Sequence, residues 1–145
     1  MQTGGYGYTL DRGEKGQKAD IRPDVVMSYS AEGAVDFGKP VEYGANKDKQ
    51  CKVFDDNTFL GIALFTHTVE NDGTVEGYAD KDTVSVLTSG AVFIENSQAG
   101  VSAGDKCYVT PAAEFTNVDG GGDNTLIGHY LESGGENDIL MIELD

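Results

Sequence analysis

Residues 59–69 read FLGIALFTHTV, the most strongly apolar segment of the chain. Gly61 and the β-branched residues within it argue for strand over helix. On an extended backbone Leu60, Ile62 and Leu64 fall on one face, and Ala63 and Phe65 on the other. A strand that is apolar on both faces is a central one, covered from both sides. The rest of the chain follows the same period. Short β-rich runs occur at residues 25–29 (VVMSY), 34–44, 51–54, 107–110, 125–132 and 138–144, with Gly, Pro, Asn and Asp between them. Residues 84–95 (VSVLTSGAVFIE) read as two strands around Ser89 and Gly90, or as one strand bent there. Asn71-Asp72-Gly73 and residues 133–137 (SGGEN) are hairpin signals. Residues 119–124 (DGGGDN) read as a flexible loop. Helical period is absent over any long stretch, with at most one turn near residues 75–79. The pattern predicts an all-β fold, a small β-barrel or β-sandwich. Its core should hold Leu60, Ile62, Leu64, Val84, Val86, Val92, Ile94, Val109, Ile127, Leu140 and Ile142.

The first 22 residues differ. They contain five Gly and four basic residues, and Leu10 and Ile21 are their only large aliphatics after Met1. This predicts an extended N-terminal arm over residues 1–22 ahead of a body over residues 23–145. A chain of 145 residues is one domain, able to bury roughly two-thirds of its unfolded surface. The net charge is −15, and it is uneven. Residues 1–52 carry 8 basic and 8 acidic side chains, whereas residues 53–145 carry 2 and 17. Such a body repels nucleic acid and anionic lipid, so no direct nucleic-acid partner is expected. No apolar run approaches the roughly 20 residues of a membrane span, and the N-terminus lacks a signal-peptide pattern. The expectation is a soluble protein not exported by that route.

Residue chemistry offers little for catalysis. His67 and His129 sit in strand-like segments, and no nucleophile elbow accompanies them. Cys51 and Cys107 are too far apart for a CxxC pair and make no zinc set, which leaves two small thiols in or near the core. The acidic turns at residues 70–73 and at Asp119 with Asp123 invite calcium but lack EF-hand spacing. The glycine clusters at residues 4–7 and 120–122 lack the strand and Lys-Ser/Thr of a phosphate loop. No catalytic residue, cofactor or metal set is predicted.

Five strings, in order, carry a resemblance. They are residues 16–20 (GQKAD), 35–41 (VDFGKPV), 59–63 (FLGIA) followed by 66–68 (THT), 82–90 (DTVSVLTSG) and 101–109 (VSAGDKCYV). Together they resemble the structural cement, or head decoration, proteins of tailed bacteriophages. The long Gly/Tyr-rich start and the heavy acidity depart from the usual pattern. The resemblance implies a non-enzymatic virion protein made in the host bacterial cytoplasm. Such a protein binds the outer surface of the capsid, with the major capsid protein as partner. The family relationship also implies homotrimers that clamp neighbouring subunits against internal DNA pressure. The residues suit this at the arm, where Tyr6, Tyr8 and Leu10 alternate to one side of an extended chain and Arg12, Lys15 and Lys18 add positive charge. These six are the expected capsid contacts, by strand addition on a partner's sheet edge. The residues alone leave two other readings open: a tail or baseplate β-module, and a calcium-dependent adhesion or carbohydrate-binding β-domain.

Overall fold

The structure, a computed structural model, describes residues 15–16, 24–65 and 77–144. Eleven strands run through them in chain order: β1 (Val25–Ala31), β2 (Val35–Asp36), β3 (Pro40–Tyr43), β4 (Gln50–Val53), β5 (Phe59–Ala63), β6 (Gly77–Tyr78), β7 (Thr83–Glu95), β8 (Lys106–Val109), β9 (Phe115–Thr116), β10 (Thr125–Tyr130) and β11 (Ile139–Leu144). The fold is all-β and barrel-like, as the alternating pattern predicts.

The 13-residue strand β7 organises it. Its first half pairs antiparallel with β1 on one side and β5 on the other, and its second half pairs with β11. Strand β1 also meets β4, in parallel, so β1, β4, β3, β5 and β7 close into a barrel. The second half of β7 carries the sheet on through β11, β10, β8 and β9. A bridge between Asn96 and Phe115 then returns that sheet towards the end of β7.

Residues 84–95 therefore form one continuous strand, and the bend expected at Ser89 and Gly90 has a definite role. Leu87 and Val92 point into the same cluster, though strict alternation would set them on opposite faces. The change of face falls where the pairing with β1 skips Thr88 and where Gly90 takes φ 127°. One apolar cluster fills the first barrel, with Val35, Phe37, Val41, Ala63, Val84 and Val86 among its members. The other lies against the second sheet and includes Ile62, Leu64, Leu87, Val92, Ile94 and Ile142. All eleven predicted core residues are buried.

One facing differs from expectation. Ile62 and Leu64 enter the second cluster, but Leu60 enters the first. The cause is a bulge: β3 pairs Val41 with Gly61 and then Glu42 with Phe59, leaving Leu60 over. A Cβ on Gly61 would lie 2.2 Å from the Leu87 carbonyl oxygen, so only glycine lets the two strands close here. Two smaller expectations are also corrected. Gly77 and Tyr78 pair with Val35 and Asp36 as a strand rather than a helical turn. Residues 120–122 form a 3-10 turn capped by Asp119, whose Oδ1 accepts from the Gly121 N–H at 3.0 Å. The hairpin signal at residues 71–73 and His67 lie outside the described residues.

Glu42 on β3 is a buried carboxylate, 1% exposed. Its Oε1 accepts from the N–H groups of Asp55 and Asn57 at 2.7 and 3.2 Å, and its Oε2 accepts from Asn57 Nδ2 at 3.0 Å. Lys52 Nζ stands 3.5 Å away. Burial pushes the acid's pKa up, but the hydrogen bonds from Asp55 and Asn57, aided by Lys52, outweigh it and hold the pKa below its usual 4.5. A lowered folded value means this contribution is fully present above the unfolded pKa and is lost as pH falls through the folded one. Glu42→Gln should therefore flatten the acid side of the stability curve. Thermal midpoints followed down to about pH 3 test this, and a slope equal to that of the unsubstituted protein would exclude Glu42 as the titrating group.

Candidate functional site

Of the six expected contact residues, the structure describes Lys15. Tyr6, Tyr8, Leu10, Arg12 and Lys18 lie outside the described residues. Lys15 and the adjacent Gly16 rest on the body at the seam between the two clusters. The Gly16 N–H donates to the Phe93 carbonyl at 2.7 Å, and the Phe65 N–H donates to the Gly16 carbonyl at 2.8 Å. Gly16 thus bridges β7 to the residues just after β5.

The seat has no room for a side chain. A Cβ on Gly16 would lie 2.6 Å from Gly38 N, 2.8 Å from Ala63 O and 3.0 Å from Phe65 N, all backbone atoms. Its φ of +84° is one that L-residues avoid. This gives the glycine of the GQKAD string a physical reason. Gly38, from the VDFGKPV string, completes the seat by donating its N–H to Ala63 O at 2.7 Å. Two strings far apart in sequence therefore meet at one point.

Lys15 opens onto a cleft of about 160 Å³ lined by Phe37, Lys39, Glu95, Glu114 and Phe115. Its Nζ lies 3.7 Å from Glu95 Oε1. Lys39 Nζ donates to the Ala113 carbonyl at 3.4 Å. Phe37 and Phe115 are buried, each 3% exposed, so the cleft presents mainly charged and polar groups to solvent.

Tyr130 donates its hydroxyl to Asn96 Oδ1 at 2.7 Å, and the Asn96 amide donates to the Gly135 carbonyl at 2.9 Å, which ties β10 to the end of β7. Cys51 and Cys107 are buried and free, and burial pushes their thiols up to about 11 and about 12. His129 is half-exposed, with Nε2 3.8 Å from Glu143 Oε1. Among the described residues no group of three or more His, Cys, Asp or Glu could hold a metal ion. Glu42 is the one buried acid among the described residues, and the other carboxylates reach solvent at least in part. Sequence reading missed one feature of this surface: Val25, Val26 and Met27 on β1 are 40–49% exposed. The signal for it is the run of residues 25–31, which has no charge in a strongly acidic chain.

The profile of the structural cement protein family, described as "Structural cement protein (E217 gp24/Pam3 gp6)", matches residues 1–145. Among solved structures, a chain of the capsid of Myoviridae phage XM1 superposes with a TM-score of 0.75 at 16% identity, over 94% of this chain and 92% of that one. The head fiber gp8.5 N base of bacteriophage phi29 gives a TM-score of 0.50 at 14% identity, over 85% of this chain and 95% of that one. At these identities the likeness is one of fold. No curated protein sequence matches. The strings meeting at the Gly16 seat lie within a match that runs the length of the chain, and the chain belongs to the phage structural cement protein family.

Proposed function

We propose that this virion structural protein binds the outer surface of the phage head and clamps neighbouring major capsid protein subunits against the pressure of packaged DNA. It does so as a binding protein without enzymatic activity, in homotrimeric clusters. The observation that carries this reading is the Gly16 seat. It pins the chain at residue 16 and leaves the residues before Lys15 to start from a defined point on the body. Fourteen residues, fully extended, span up to about 50 Å. That exceeds the body's radius of gyration, near 14 Å by the usual scaling. A strand carrying Tyr6, Tyr8 and Leu10 on one side could therefore cross to an adjacent subunit and add to its sheet edge. The acidic surface suits the outside of a particle, where attraction to nucleic acid would be a hazard.

Deleting residues 1–14 tests this while leaving Lys15 and Gly16 in place. The thermal midpoint should change little, because in this reading the arm's contacts are with the partner. Binding to undecorated heads should weaken about tenfold or more, equivalent to about 1.4 kcal/mol. Unchanged affinity would assign the contact to the body alone.

A further inference from the structure

The open edge of β1 has no role so far. On one side, residues 25–30 pair with β7. On the other side β4 begins only at Ser30, where the Ser30 N–H donates to the Lys49 carbonyl and the Glu32 N–H to the Cys51 carbonyl, each at 2.7 Å. Strand alternation then turns the N–H and C=O groups of Val26 and Ser28 to the same edge. Among the described residues no strand pairs with them. Val25, Val26 and Met27 beside them are 40–49% exposed. Proteins usually guard such an edge with charge, proline or a covering loop. Here β1 carries no charge, and neither does its partner β7 before Glu95.

That neutrality selects the occupant. Two chains of net charge −15 repel wherever their carboxylates face each other. They can approach closely only at a surface free of charge, and the β1–β7 ribbon is one. The geometry points to a second copy of this chain as the partner, with the two β1 edges pairing antiparallel about a twofold axis at Met27. Val26 of each copy then faces Ser28 of the other as a hydrogen-bonded pair, which satisfies both sets of outward groups. Met27 faces Met27 as the closer, non-hydrogen-bonded pair. Val25 falls opposite Tyr29, so the face around Met27 is apolar throughout. The contact is isologous and self-complementary, so it closes after two copies. Beginning at Ser30, β4 blocks the edge, which limits the pairing to about five residues a side. That is below the roughly 1,200 Å² of a standard interface, so the dimer is weak in solution. Copies in neighbouring clusters, held side by side on one surface, would form it more fully.

The test uses the full chain in solution without heads, so its outcome is independent of the capsid-binding reading. The native thiols are buried and resist ionisation, which makes an introduced cysteine the reactive one. Under mild oxidation Met27→Cys should form a disulfide-linked dimer, because a non-hydrogen-bonded pair sits within disulfide reach. Leu126→Cys, at a site of similar exposure on β10, is the collision control. The expected yield at Met27 is roughly tenfold above that control, as the Cα separation favours the bond. Sedimentation of the unsubstituted protein should show a dimer fraction that Val26→Lys abolishes. Equal cross-linking at both sites would overturn the proposal. So would a monomer at every concentration combined with loss of head binding in Val26→Lys, which would give the edge to the capsid. A rise in Met27→Cys cross-linking after deletion of residues 1–14 would assign the edge to the chain's own N-terminus and likewise overturn it.

Discussion

Ile62→Ala is expected to cost about 2–5 kcal/mol of folding stability, the range for emptying a well-packed aliphatic site. Ile62 has no exposure and lies on β5 opposite Leu87 of β7. Its side chain leaves the first barrel and enters the second cluster beside Leu64 and Leu87. Interior strands hold it on both sides, β3 and β7, so the surroundings have little freedom to collapse into the void. The loss should appear in urea unfolding as a lower midpoint with the slope unchanged. Leu126→Ala supplies the contrast, since Leu126 is 49% exposed and should stay within about 0.5 kcal/mol. A cost under about 1 kcal/mol at Ile62 would mean that the two clusters are not joined through β5.

Where the sequence is legible, the reason is period. The alternation in residues 83–86, 92–95 and 139–144 survives because each stretch has one face against a core, and its inward positions are buried as expected. Where it misleads, a single backbone event intervenes. The bulge at Leu60 reverses one side chain, and nothing in FLGIAL marks it except Gly61, whose need is set by the Leu87 carbonyl across the sheet. Glu42 looks like an outward strand residue, yet it is buried because the turn at residues 55–57 supplies donors for its carboxylate. Strand β6 has two residues, too few for any period to show. The Gly16 seat is hidden for a related reason. Its neighbours are Gly38, Ala63, Phe65 and Phe93, distant in sequence, and composition alone assigns residues 15–16 to the arm.

Gly16→Ala is the substitution that separates the seat from the core. Keeping the new alanine in the seat would force an L-residue to a φ of +84° and drive a methyl group against three backbone atoms. The left-handed conformation costs about 1–2 kcal/mol, and the overpacking a further 1–3 kcal/mol or so. The alternative is to let the turn detach. That forfeits two backbone hydrogen bonds, worth about 1 kcal/mol each, and a partly exposed ion pair worth less than about 1 kcal/mol. Detachment is the cheaper course, so the damage should be local and near 2–3 kcal/mol. The Phe65 amide reports it directly, because its hydrogen-bond acceptor is the Gly16 carbonyl. Its hydrogen exchange should quicken by about 30- to 150-fold if exchange runs through local opening, while amides of β7 and β11 keep their protection. The thermal midpoint should fall by less than in Ile62→Ala. Head binding should weaken in Gly16→Ala but no further than in the deletion of residues 1–14, since a detached anchor lowers the effective concentration of the arm without removing it. Unchanged exchange at Phe65 would show that the seat tolerates a methyl group. Unchanged head affinity alongside fast Phe65 exchange would show that the anchor orders the body's surface without presenting the arm.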